Sequence, residues 1–149
     1  MRTLLLFCSL MILVSCQKNS STESEKANSQ PGEVAIKPDT LCFQQILKRD
    51  TTTLQLKIDG PTASGYLDNN PYEKDRARGP IEGTVAGNQI RATWSRSGEG
   101  ITERYAITFT LKGDAIVWRE GERVQKQGIW VLKEPARGYE YVLNKTDCK

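Results

Sequence analysis

Histidine is missing from all 149 residues of this chain. With it goes the side chain that titrates near neutral pH, serves most often as a general acid or base, and is the commonest metal ligand. Hydrolytic triads and zinc centres lose their usual parts, and no nucleophile motif replaces them, so the chain reads as neither an enzyme nor a cofactor or metal carrier. An excess of one charge is also lacking. The 21 Lys and Arg are interspersed with 18 Asp and Glu, which leaves no concentrated basic face of the kind nucleic acid requires. No stretch keeps the i, i+3, i+4, i+7 apolar spacing of an amphipathic helix for three turns. Long apolar runs are scarce too: residues 4–14 form one at the N-terminus, well short of the roughly 20 residues that span a bilayer.

That run is informative by its surroundings. Arg2 precedes it, and small Ser15 comes after it, the pattern of a removable secretory signal. The tetrad Leu13-Val14-Ser15-Cys16 resembles the lipobox of bacterial lipoproteins. The resemblance implies cleavage before Cys16 and a diacylglyceryl group on its thiol, with two or three palmitate-type acyl chains in the mature protein. Each buried methylene contributes about 0.8 kcal/mol, and stable anchoring needs more than one chain. Gln17 stands where aspartate would signal inner-membrane retention, so the outer membrane is the expected address, with either face open. Residues 1–15 are therefore the expected signal peptide. Their loss removes Arg2 and no acid, leaving 20 Lys and Arg against 18 Asp and Glu, a net charge of +2.

Residues 16–39 comprise the acylated cysteine and a polar tether rich in Ser, Asn, Gln, Glu and Lys. Such a segment buries too little apolar surface to offset the entropy of ordering. As a flexible coil, the stretch after Cys16 would hold the folded domain roughly 25–30 Å from the lipid. Val34-Ala35-Ile36 could add one short strand to the domain.

From residue 40 to 149 the period is two, which predicts an all-β domain. Leu54, Leu56 and Ile58 alternate with Thr53, Gln55 and Lys57, and Asp59-Gly60 marks a turn. Residues 65–67, 81–86 and 89–96 continue the pattern, with Gly87-Asn88 between the last two. Tyr105, Ile107, Phe109 and Leu111 alternate before Gly113-Asp114, and Ile116 and Trp118 return. Residues 128–132 and 139–143 complete eight or nine short strands, counting 41–49 as the first. Sequential hairpins make an antiparallel meander, and closure into a small up-and-down barrel of lipocalin or avidin shape removes its edges. A two-sheet sandwich is the alternative. In a closed meander the first and last strands are neighbours, so Cys42 and Cys148 are expected to form a disulfide in an oxidising compartment.

Two clusters and a set of aromatics are candidates for binding. The loop Tyr72-Glu73-Lys74-Asp75-Arg76 is polar and aromatic, and loops on rigid β scaffolds often carry function. Ser97-Gly98-Glu99-Gly100 is a glycine-rich bend with one carboxylate. Glu73, Asp75, Glu82 and Glu99 could in principle pair as acid and base, but their separation is not encoded in spacing. Trp94, Trp118 and Trp130, with Tyr66 and Tyr105, could line a cavity or fill a core.

At these residues the chain resembles small lipoproteins widespread in Bacteroidota. The likeness rests on Tyr72-Glu73-Lys74-Asp75, on Gly79-Pro80-Ile81-Glu82-Gly83 and on Ser97-Gly98-Glu99-Gly100, within residues 42–118. It implies an envelope lipoprotein with a small β domain and brings no activity with it. Ala63-Ser64-Gly65-Tyr66 also resembles a motif of membrane-bound lysozyme inhibitors over four residues. The sequence therefore predicts a noncatalytic, membrane-anchored protein that binds a small apolar or amphipathic ligand through Tyr72, Glu73, Lys74, Asp75, Glu99, Trp94 and Trp118. The alternative is a protein-binding envelope module like a lysozyme inhibitor.

Overall fold

The computed structural model describes residues 39–148. The expected signal peptide, Cys16, the expected tether and its Val34-Ala35-Ile36 lie outside the described residues. Within them the chain forms ten strands: β1 Asp39–Leu47, β2 Asp50–Asp59, β3 Thr62–Asn70, β4 Ala77–Ala86, β5 Gln89–Gly98, β6 Ile101–Lys112, β7 Ala115–Glu120, β8 Arg123–Lys126, β9 Ile129–Leu132 and β10 Tyr139–Thr146. β1 to β7 pair consecutively and antiparallel, β7 pairs with β10, and β10 returns to β1. Eight strands thus close a barrel, as the alternation predicts.

The β8–β9 hairpin stands outside that ring. It interrupts the chain between β7 and β10 and pairs through β9, in parallel, with β6 at Arg104 and Tyr105. β8 is a strand that alternation did not indicate, because Val124-Gln125-Lys126 has no apolar period.

Inward side chains fill the barrel. Phe109, Leu54, Leu56, Ile90, Ile116 and Leu143 are fully buried at mid-height, and Leu41, Ile58, Val85 and Leu111 pack beneath them. The motif Gly79-Pro80-Ile81-Glu82-Gly83 has a steric reason. A Cβ at Gly79 would collide with the Ser95 carbonyl, and one at Gly83 with the Arg91 carbonyl. The β4–β5 ladder is also interrupted at Gly79 and Pro80, between the pairs Arg78–Ser97 and Ile81–Trp94. Proline has no N–H to donate there.

One end of the barrel is stitched by backbone. Its turns hold Gly60, Gly87 and Gly113, each with φ between 54 and 61°. Pro61 O accepts from Val85 N at 2.8 Å, Asn88 O from Leu111 N at 2.8 Å, and Asp114 O from Lys145 N at 2.7 Å, so each tip is tied to a neighbouring strand. Cys42 and Cys148 are joined by a disulfide at this end, Cα atoms 5.3 Å apart, across 106 residues of sequence. β1 begins here, so the preceding chain joins at the stitched end.

Candidate functional site

The opposite end is the mouth. The β1–β2 turn, the β3–β4 loop and the β5–β6 turn reach it because a meander sends alternate connections to the same end, and the β8–β9 tip points the same way because β9 runs parallel to β6. Above the apolar layer the interior turns aromatic. Trp118 meets Phe109 edge-on at 5.4 Å and stacks on Tyr141 at 4.7 Å with an interplanar angle of 10°. Tyr141 in turn touches Tyr139 at 5.2 Å. On the other side Trp94, Tyr105 and Trp130 form a second row with centroids 6.1 and 6.3 Å apart. The indole N–H groups of Trp94 and Trp130 are buried with no acceptor among the described residues, and an unmet buried donor costs about 1–3 kcal/mol.

The wall beside Tyr105 is closed by charge. β6 pairs with β7 through Thr110, Leu111 and Lys112, and with β9 through Arg104 and Tyr105, leaving carbonyls free between. The Arg123 guanidinium fills that gap. It donates to Ala106 O at 3.0 Å and Trp130 O at 3.1 Å, forms a two-pronged pair with Glu120 at 2.9–3.1 Å, and lies 5.1 Å from the Tyr105 ring centre. Its donors are spent within the protein, so Arg123 serves the wall. Burial and the Glu103 hydrogen bond push the Tyr105 phenol up.

Between β1 and β10 the wall opens. Their ladder covers residues 42–44 against 144–146 and stops. Inside that slit is a cavity of about 370 Å³ bounded by Gln45, Leu47, Thr52, Asn69, Tyr139 and Tyr141, with Lys74 and Asp50 at its rim. Its floor is a polar chain. Thr52 Oγ1 donates to Asn69 Oδ1 at 3.2 Å, and Asn69 Nδ2 to Tyr141 Oη at 3.5 Å. Thr52 is 4% exposed, a buried hydroxyl directly above the apolar filling. Desolvation raises the Tyr139 phenol well above its ordinary range, and its hydrogen bond with Tyr141 adds to this. A larger hollow of about 430 Å³ lies on the outer wall between Thr108, Val117, Arg119, Leu132 and Pro135. It shares none of the polar chain.

The residues singled out from sequence fall into two groups. Tyr72, Glu73, Lys74 and Asp75 sit in the β3–β4 loop and Glu99 at the β5–β6 tip, all at the mouth. Tyr72 is tied to the β1–β2 turn: its N–H donates to Asp50 Oδ1 at 2.7 Å, and the Arg49 guanidinium lies over its ring. The Glu73 hydrogen bond raises its phenol, opposed by Arg49. Of these loop residues Lys74 borders the cavity. Trp94 and Trp118, by contrast, are 5% and 4% exposed and belong to the core. Trp118 meets the cavity only through Tyr141, which stacks on it. The four carboxylates do not gather at one point: Glu82 faces outward on the β4 wall, away from the tips that hold Glu73 and Glu99. Among the described residues no group of three His, Cys, Asp or Glu side chains could hold a metal ion. Tyr66 of the Ala63-Ser64-Gly65-Tyr66 stretch is exposed on the outer wall of β3.

Gln45, Thr52, Asn69, Tyr139 and Tyr141 are the site residues that the sequence did not mark. Alternation puts all five on the inward face, and their polarity among inward-facing Leu, Ile and Phe is the signal that could have found them. No known family model matches the chain, and neither a curated protein nor a solved structure is significantly similar to it.

Proposed function

We propose that this protein is a noncatalytic lipoprotein of the cell envelope, held by lipid on Cys16 at the outer membrane, that binds a small amphipathic ligand in the barrel mouth. The carrying observation is the contrast within one barrel: a filled apolar lower half, and above it a cavity of about 370 Å³ floored by Thr52, Asn69 and Tyr141. Ligand sites characteristically combine such concavity with aromatic surface and a few placed polar groups. β1 begins at the stitched end, opposite the mouth.

Lauric acid is a suitable first probe, with an apolar tail for the aromatic wall and a polar head for the amide and hydroxyl groups. Titration should change Trp118 fluorescence saturably, through displacement of Tyr141 on which the indole stacks, and Tyr141→Ala should abolish that response. An unchanged emission spectrum with bound acid absent by calorimetry would overturn the reading.

A further inference from the structure

We infer that the β1–β10 slit also receives an extended peptide segment of a partner, with alternating apolar side chains and an acidic end, added as a strand to the open edge of β1. This rests on the reading of the mouth as a binding site and goes beyond its small ligand by adding a peptide partner at the slit. If the β1–β10 register continued, Gln45 would face Leu143, Ile46 would face Val142, and Leu47 would face Tyr141. The ladder instead stops at Gln44, although β1 goes on to Leu47 and β10 runs from Tyr139. Each strand keeps its other neighbour there, since β1 pairs with β2 to its end and β10 pairs with β7 from Tyr139 to Asn144. The two facing edges therefore carry backbone donors and acceptors with no strand between them, a template for strand addition.

The side chains flanking that edge have matching alternation. Seven large hydrophobic residues are exposed among the described residues, and four of them, Ile46, Leu47, Tyr139 and Val142, border the slit. Ile46 and Val142 face outward, while Leu47 and Tyr139 face the cavity. A strand placed between β1 and β10 would meet apolar surface on both faces, which a compact ligand seated only in the cavity would not use.

Charge and chain length narrow the occupant. Lys48, Arg49 and Lys74 stand at the mouth end of the slit and are in none of the ion pairs among the described residues, whereas the two carboxylates of the same linings are engaged, Glu140 with Lys112 and Arg119 and Asp50 with Tyr72 N. They favour an acidic side chain or a C-terminal carboxylate. The chain's own Val34-Ala35-Ile36 cannot serve. Five residues from Asp39 back to Val34 reach at most about 17 Å, whereas Gln45 lies about 20 Å up β1 from Asp39.

Hydrogen exchange on the full-chain protein tests this, with octapeptides that alternate Val, Leu or Ile with Thr and end in Asp. The expected result is saturable, at least tenfold slower exchange at the slit-facing amides of residues 45–47 and 139–143. Peptides N-methylated at alternate residues on both edges should lose the effect. The exposed double substitution Ile46→Lys/Val142→Lys should also abolish it while leaving the lauric acid response intact. Protection that survives N-methylation, or none with any peptide of the set while lauric acid still binds, overturns strand addition and leaves the mouth reading standing. Silence toward both probes overturns both.

Discussion

The two ends of the barrel solve the same turn problem with different chemistry. At the stitched end the left-handed turn positions belong to Gly60, Gly87 and Gly113, and the tips are bound to neighbouring strands by backbone. At the mouth Gly100 and Gly128 also take positive φ, but beside them and at the other two tips the non-glycine residues Lys48, Glu73, Glu99 and Gln127 take φ of 49–58°, a conformation that costs L-residues roughly 1–2 kcal/mol each. The contacts there run through side chains, as between Tyr72 and Asp50. One end is built for closure and holds the disulfide, while the other keeps side chains at its tips despite the conformational cost. Strain of this sort points toward function when found beside an open cavity.

The contrast can be broken most forcefully at the disulfide. Replacing Cys42 and Cys148 with Ala should lower stability by about 4–5 kcal/mol in the chain-entropy description of a loop this long, read as a lower urea midpoint. The four mouth tips should remain as protected in hydrogen exchange, relative to global unfolding, as before. A loss confined to the mouth would contradict the division.

Exchanging turn residues between the ends sharpens it. Gly60→Ala and Gly113→Ala should each destabilise by about 1–2 kcal/mol, because the left-handed backbone is retained without glycine. Lys48→Gly and Glu99→Gly should be neutral or stabilising by up to about 1 kcal/mol. Should the mouth substitutions prove as costly as those at the stitched end, the side chains there are structural.

The smallest effect is in alkali. The Tyr139 phenol is raised from its ordinary value of 10.0, first by burial and then by Tyr141, so the folded protein holds this proton more tightly than the unfolded chain does. Its contribution is complete below about pH 10 and is lost as pH rises further and the unfolded state ionises first. Because Tyr139 is more than half exposed, solvent screens much of this effect; Tyr139→Phe should slightly flatten the fall of thermal stability above pH 10, and an unchanged slope would show that solvent screens the phenolate fully.

Much of this architecture is legible in the residues alone. Leu54, Leu56 and Ile58 announce an inward face, and Asp59-Gly60, Gly87-Asn88 and Gly113-Asp114 announce the turns. The pairing of Cys42 with Cys148 is a consequence of closure. The β8–β9 hairpin was half hidden, because Val124-Gln125-Lys126 has no apolar period and its docking on β6 depends on Arg123 reaching Ala106 O. The candidate loops Tyr72-Glu73-Lys74-Asp75 and Glu99 do share one end, as meander parity requires. Gln45, Thr52 and Asn69 went unmarked although each is in phase with inward Phe43, Leu54 or Leu67, because a polar residue in that phase reads as the end of the apolar run until the cavity it faces is seen.

By itself, the order of residues determined the period-two alternation, the places where the chain turns, the absence of histidine chemistry and the neighbourhood of the two cysteines, since each depends on local sterics or on closure of a meander. Only tertiary structure decided that Trp94 and Trp118 are core and not lining, and that β1 and β10 part company above Gln44. Those outcomes depend on how much volume the inward side chains fill together and on how the eight strands of the ring pair. Both are sums over the whole ring and are written in no single strand.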